Sequence, residues 1–166
     1  IMSEVTSVLI AGVGGQGILL ASEIMSDVAL EAGLDVKKSE VHGMAQRGGS
    51  VVSNVRFGET VYSPLIKKGE ADIILSFEKL ETLRWLEYAK DGCSVFANTQ
   101  QIYPMSVTFG EAKYAEDVEE RVKKNVGDCV FFDALKEAIE LGNPRCVNVI
   151  LLGMLCTRLK FDSKDR

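Results

Sequence analysis

Apolar and polar positions alternate in blocks along this chain. Thr6-Ser7-Val8-Leu9-Ile10-Ala11 is a short apolar run with β-branched residues, the pattern of a buried strand. It stops at Gly12-Val13-Gly14-Gly15-Gln16-Gly17. From Ile18 to Ala32 apolar residues recur at helical spacing, and Gly33 ends that helix. Asp35 to Glu40 reads as a second strand, so the first forty residues or so form strand, glycine turn, helix, strand. A polar, glycine-containing stretch from Val41 to Gly49 follows. Ser50 to Phe57 then alternates like a strand exposed on one face, and Gly58-Glu59 is expected to turn it into a hairpin with Val61-Tyr62-Ser63.

Further strands are expected at Ala71–Ser76, Ser94–Asn98 and Cys129–Phe132, with a short edge strand at Pro104–Thr108. Helices are expected over Glu78–Lys90, closed by Gly92, and over Ala115–Val126, Ala134–Leu141 and Pro144–Leu159. Strands alternating with helices predict an α/β fold: a three-layer Rossmann-like domain with a mainly parallel sheet and an antiparallel hairpin. No linker, repeat or low-complexity segment interrupts residues 1–166, so a single domain is expected.

Composition narrows the function. The 166 residues carry 19 Lys plus Arg against 24 Asp plus Glu, a net charge of −5, with no basic stripe. A nucleic-acid partner is therefore not expected, because phosphate-backbone binding needs a concentrated basic face. No apolar run reaches the roughly 18–20 residues of a membrane span, and no secretory leader pattern is present. The four cysteines show no Cys-x-x-Cys spacing, which argues against a zinc or iron–sulfur site and for mostly buried, reduced thiols in a cytoplasmic protein. With a single histidine, His42, no multi-histidine metal site can form, and no nucleophile or orienting acid is assignable beside it. The sequence thus offers no catalytic residue and no metal ligand set.

Two segments carry candidate chemistry. Gly12, Gly14 and Gly17 fit G-x-G-x-x-G between a strand and a helix, where backbone N–H groups and a helix dipole suit an anion. Glu40 lies where a dinucleotide site would want its ribose acid, but it runs into a polar loop rather than a helix. That loop, with Gln46, Arg47, Gly48 and Gly49, adds a planar guanidinium suited to carboxylate or phosphate. Both segments should emerge at one strand-end crevice. Elsewhere, Glu78, Lys79 and Glu81 read as the solvated start of a helix, and Glu119 to Lys124 as a charged helix face. The last helix is apolar nearly all round and must be covered by the core or by a partner.

GVGGQGILLAS at 12–22, SEVHGMAQRGGSVVSNVRFG at 39–58 and SPLIKKGEADIILSFEKLETLR at 63–84 resemble the gamma domain of 2-oxoacid:ferredoxin oxidoreductases. The HGM-x-QRGG form of the loop points to the indolepyruvate branch and its small (beta) subunit. The resemblance extends over nearly the whole chain, Asn98-Thr99-Gln100 and Gly142-Asn143-Pro144-Arg145 included. It implies a subunit of an enzyme that oxidises a 2-oxoacid such as an aryl pyruvate, releases CO₂, forms an acyl-CoA and passes electrons to ferredoxin. It also implies that thiamine diphosphate, magnesium and iron–sulfur clusters sit in a large partner subunit. Coenzyme A would lie at the interface, against Gly14, Gly15, Gln16, Gly17, Gln46, Arg47, Gly48 and Gly49. This chain alone would hold no cofactor tightly and would not turn over. Family members run somewhat past the position of Arg166, so a C-terminal tail is expected to be absent from these 166 residues. Two other readings stay open: a stand-alone NAD(P)-type module, and a scaffold whose glycine loops only fit a partner.

Overall fold

The computed structural model describes residues 5–42 and 48–159. Six strands form one sheet in the order β2-β3-β1-β4-β5-β6: β1 Thr6–Val13, β2 Asp35–His42, β3 Ser50–Gly58, β4 Ala71–Ser76, β5 Ala89–Asn98 and β6 Asp128–Phe132. The β1–β4, β4–β5 and β5–β6 pairs are parallel. Strand β3 alone runs the other way, antiparallel to both β1 and β2. Helices α1 Ile18–Glu31, α5 Ala134–Glu140 and α6 Val147–Cys156 cover one face, and α2 Lys79–Arg84 and α4 Val118–Asn125 cover the other. A single turn, α3 Met105–Thr108, follows β5.

The three expected layers follow from the burial of β1. Val8 and Ile10 point into the cluster under α1 and α6, and Leu9 and Ala11 into the one under α4. All four are fully buried, so a continuous apolar run is what a strand covered on both faces requires. The last helix goes to the core: Leu151, Leu152 and Leu155 are buried, while Val149 and Cys156 stand out to solvent.

Four expectations are corrected. The antiparallel hairpin is not formed by Val61–Ser63. Strand β3 pairs instead with β2, from His42 opposite Val51 to Asp35 opposite Gly58, and on its other side with β1. Residues 59–70 become a covering segment that buries Val61 and Ile66. Arg56 holds it by donating to the carbonyls of Ser63 and Leu65, and Asp35 accepts from the Val61 N–H. The helix expected to Lys90 ends at Arg84, passes through a 3₁₀ turn at Leu86–Tyr88 and is followed directly by β5. Gly92 is therefore not a helix stop; it lies inside β5, near an irregularity in the β4–β5 register. Pro104–Thr108 is helical rather than extended, because Pro104 takes the N-cap position and Thr108 and Phe109 close a helical turn onto Pro104 and Met105. Finally, Glu78 and Glu81 are not solvated: they are 1% and 3% exposed.

Candidate functional site

The parallel strands β1 and β4 lie side by side, yet α1 follows β1 onto one face and α2 follows β4 onto the other. This is a topological switch point, the place where open α/β sheets leave a crevice at the carboxyl ends of their strands. The glycine turn sits over it. Gly12 can only be glycine there, since a Cβ would lie 2.9 Å from Cβ of buried Phe77.

Gln16 closes the bottom of the crevice. Its Oε1 accepts from the Val13 N–H at 2.7 Å, and its Nε2 donates to the Phe77 carbonyl at 2.8 Å and to Gln100 Oε1 at 3.1 Å. Asn98 ties the same carbonyl from β5, donating to Phe77 at 3.2 Å while accepting from the Ala134 N–H. The Gln16 amide is thus fully engaged within the chain, and its part in the site is to lock the turn across the β1–β4 seam.

Gly15 and Gly17 have φ of +103° and +85°, a region that only glycine enters freely. A Cβ on Gly15 would meet no atom within 4 Å, so the backbone there faces open space. Gly17 is the N-cap of α1, with no side-chain cap and no acid in the first turn of the helix. The N–H groups of Gly15, Gly17, Ile18 and Leu19 have no hydrogen-bond partner among the described residues. A 14-residue helix ending in bare donors is chemistry for an anion.

The two glycine loops meet. Gly14 N–H donates to the Gly49 carbonyl at 2.9 Å, and Ser50 beside it donates from Oγ to Glu81 Oε2 at 2.5 Å. Both loops emerge at the same sheet edge, because Val13 lies opposite Ser50 and His42 opposite Val51. Gly48 and Gly49 are described; Gln46, Arg47 and the intervening residues from Gly43 lie outside the described residues, as does the side chain of His42. Between Val51 and the first turn of α1 runs an apolar groove of about 350 Å³, floored by Gly14, Gly15 and Gly17 and walled by Ile18, Leu19 and Leu20.

Glu78 and Glu81 escaped the reading of the sequence. Glu78 caps α2 through the Glu81 N–H and also accepts from Ile102 N–H and the Tyr114 hydroxyl. Glu81 joins Ser50, Trp85 and Arg84. Burial lifts the Glu81 carboxyl above its ordinary value, against the lowering effects of Ser50, Arg84 and Trp85. A raised native-state pKa means that the folded protein holds this proton more tightly than the unfolded chain does. The site's stability therefore falls as pH rises from the unfolded value through the folded one. Melts of Glu81→Gln against the parent should show the variant gaining relative stability as pH rises above the ordinary glutamate value. A difference constant with pH would remove Glu81 as the titrating group.

Glu40, the acid a dinucleotide site would need, is displaced. Strand β3 stands between β1 and β2, and Glu40 is ion-paired with Lys38 at 3.0 Å. Insertion of one strand adds about 5 Å between that acid and the turn. Cys93, Cys129, Cys146 and Cys156 are unpaired, and among the described residues no three His, Cys, Asp or Glu groups gather as a metal site. Burial pushes the Cys93 thiol up to about 12, so it stays protonated. Among the described residues no helix is long and apolar enough to cross a membrane.

Comparison with known proteins agrees with this architecture. Residues 7–165 match the pyruvate ferredoxin/flavodoxin oxidoreductase family. The chain is 47% identical over 152 residues to indolepyruvate oxidoreductase subunit IorB of Pyrococcus horikoshii, a match covering 90% of this chain and 75% of that one. Its fold is that of pyruvate oxidoreductase subunit PORC of Thermotoga maritima, with a TM-score of 0.65 at 20% identity over 93% of this chain and 75% of that one. It is also similar in fold to a 2-oxoglutarate:ferredoxin oxidoreductase from Magnetococcus marinus, solved with 2-oxoglutarate, coenzyme A and succinyl-CoA bound. There the TM-score is 0.70 at 19% identity, over 96% of this chain and 25% of the other. With nearly its whole length inside the family match, the chain belongs to the pyruvate ferredoxin/flavodoxin oxidoreductase family and is a subunit of a 2-oxoacid:ferredoxin oxidoreductase.

Proposed function

We propose that this subunit, as one gamma-type domain over 1–166, serves a CoA-dependent oxidative decarboxylation of an aryl pyruvate such as indolepyruvate. Coenzyme A sits at its interface with a larger partner subunit, against Gly14, Gly15, Gln16, Gly17, Gln46, Arg47, Gly48 and Gly49. Thiamine diphosphate, magnesium and iron–sulfur clusters belong to the partner, which passes electrons to ferredoxin. The complex is cytoplasmic, where unpaired thiols persist. The observation that carries this reading is the junction of an uncapped helix N-terminus with the second glycine loop through Gly14 and Gly49. The apolar groove beside it supports the reading, since coenzyme A joins anionic phosphates to a long, largely uncharged arm. The 47% identity to an indolepyruvate oxidoreductase subunit supports the aryl substrate.

Purification of the complex under anaerobic conditions, followed by assay with aryl pyruvate, coenzyme A and ferredoxin, tests the whole reading. Recovery of a larger thiamine- and iron–sulfur-bearing subunit with CoA-dependent turnover supports it, and a lone chain that binds NAD(P) overturns it. In that complex Arg47→Ala should raise the apparent KM for coenzyme A about tenfold, the loss of one charge-assisted contact. An unchanged KM would leave the loop without a cofactor role.

A further inference from the structure

Glu81 lies in the first turn of α2 and is 3% exposed, although its own helix does not ask for a carboxylate there. The N-terminus of α2 is already capped by Glu78, which accepts from the Glu81 N–H at 2.8 Å. The ion pair with Arg84, three residues on, would form as well at the surface. Burying a carboxyl group is unfavourable unless hydrogen bonds replace its hydration. Three donors do so. Arg84 Nη1 is 2.7 Å from Oε1, while Ser50 Oγ and Trp85 Nε1 donate to Oε2 at 2.5 Å and 3.2 Å. Arg84 and Trp85 are neighbours in sequence, at the end of the same helix. Ser50 lies 31 residues back, and it is the partner that leads to the site.

Ser50 opens β3 and pairs with Val13, the last residue of β1. Val52, two residues on, points into the cluster beneath α4, so strand alternation aims the Ser50 side chain at the α2 face. Gly49, just before it, accepts from the Gly14 N–H. The two glycine loops therefore meet one residue from the hydroxyl that Glu81 holds. The chain entering β3 brings no side-chain packing to this point, because residues 48 and 49 are both glycine. Gly48 has φ +78°, and a Cβ on it would meet no described atom within 4 Å. What fixes the entry to β3 is the ladder with β1, the Gly14–Gly49 bond and the grip of α2 on Ser50.

We propose that Glu81 is a positioning residue: through Ser50 it sets where the second glycine loop rejoins the sheet, and with that the fit of the glycine junction to its ligand. The carboxylate takes all three donors at once, which no neutral side chain of its size can do. The inference rests on the coenzyme A reading only for the ligand that the junction serves.

The test uses the assembled enzyme and three variants, Ser50→Ala, Ser50→Thr and Glu81→Gln. Two quantities are read: hydrogen exchange of the Gly14 amide without coenzyme A, by mass spectrometry, and the steady-state constants for coenzyme A. In Ser50→Ala and Glu81→Gln the Gly14 amide should exchange about tenfold faster, the loss of about one hydrogen bond of protection. The KM for coenzyme A should rise about fivefold, well beyond any fall in kcat. Ser50→Thr keeps the hydroxyl and should return both quantities to near the parent. The double variant of Glu81→Gln with Ser50→Ala should be little worse than either single one, since both break the same bond.

Gly14 exchange as slow as the parent in Ser50→Ala would overturn the proposal, whatever Arg47→Ala does to coenzyme A. So would a lower kcat at constant KM while Arg47→Ala still raises that KM, because Glu81 would then serve folding alone. Faster exchange with a KM that neither Ser50→Ala nor Arg47→Ala moves would keep the positioning role and overturn the coenzyme A reading instead. Should Glu81→Gln fail to assemble, the two Ser50 variants decide.

Discussion

Glu78→Gln should lower the stability of this protein by about 2–3 kcal/mol, although it replaces one oxygen by one nitrogen. The carboxylate is 1% exposed and receives a donor on each side. Oε2 accepts from Glu81 N–H at 2.8 Å, and Oε1 from Ile102 N–H at 3.1 Å and Tyr114 Oη–H at 2.6 Å. An amide has one acceptor oxygen. Whichever way the substituted amide is turned, its NH₂ faces a donor, and at least one buried N–H loses its partner. Tyr114 cannot relieve the clash by ionising. Burial, the largest cause of its raised pKa, persists in the variant, and a neutral hydroxyl that turned to accept from the NH₂ would still leave the Ile102 N–H without a partner. Tyr114→Phe alone, which deletes one of the donors, should cost about 1 kcal/mol. In a double-mutant cycle the two losses should be less than additive, because they remove one shared bond. Urea midpoints at constant m-value are the measurement. A Glu78→Gln midpoint indistinguishable from the parent would mean that water reaches this carboxylate.

The same two acids show where local sequence stops being informative. Strands β1 and β4 were legible almost to the residue, because near-continuous burial on both faces leaves a continuous apolar run. The glycine turn was legible for a similarly local reason: the positive φ of Gly15 and Gly17 excludes other residues at those positions. The work of Gln16 was not, since its acceptors Phe77 and Gln100 lie 61 and 84 residues away. Glu78 and Glu81 look like any acidic helix start until Tyr114 and Ser50 are brought to them by the sheet. The place of β3 is the largest miss of this kind. Its alternating pattern marks a strand, but nothing within it says that it enters between β1 and β2 and so moves Glu40 away from the turn. Pairing is decided by long-range partners, and a one-strand insertion changes which side chains share an edge without changing any local pattern.

Gly12→Ala should be more damaging than Gly15→Ala, and the comparison separates two reasons for having glycine in one turn. At Gly15 a methyl group would meet nothing within 4 Å, so the penalty is conformational, the price of φ +103° for an L residue, about 1 kcal/mol. At Gly12 no positive φ is involved. The added methyl would lie 2.8 Å from Gln16 Oε1, 2.9 Å from Phe77 Cβ and 3.0 Å from Ile18 Cδ1. Phe77 is fully buried and Ile18 nearly so, and a Cβ cannot retreat without its backbone. Overpacking of this kind costs about 2–3 kcal/mol. Ile18 Cδ1 can turn only within a packed core, and retreat of the Gln16 amide breaks its bonds to Val13 and Phe77, the lock across the β1–β4 seam. Denaturant midpoints of the two variants decide the matter: a Gly15→Ala loss equal to or larger than that of Gly12→Ala would show that crowding under the turn is not what excludes a side chain there.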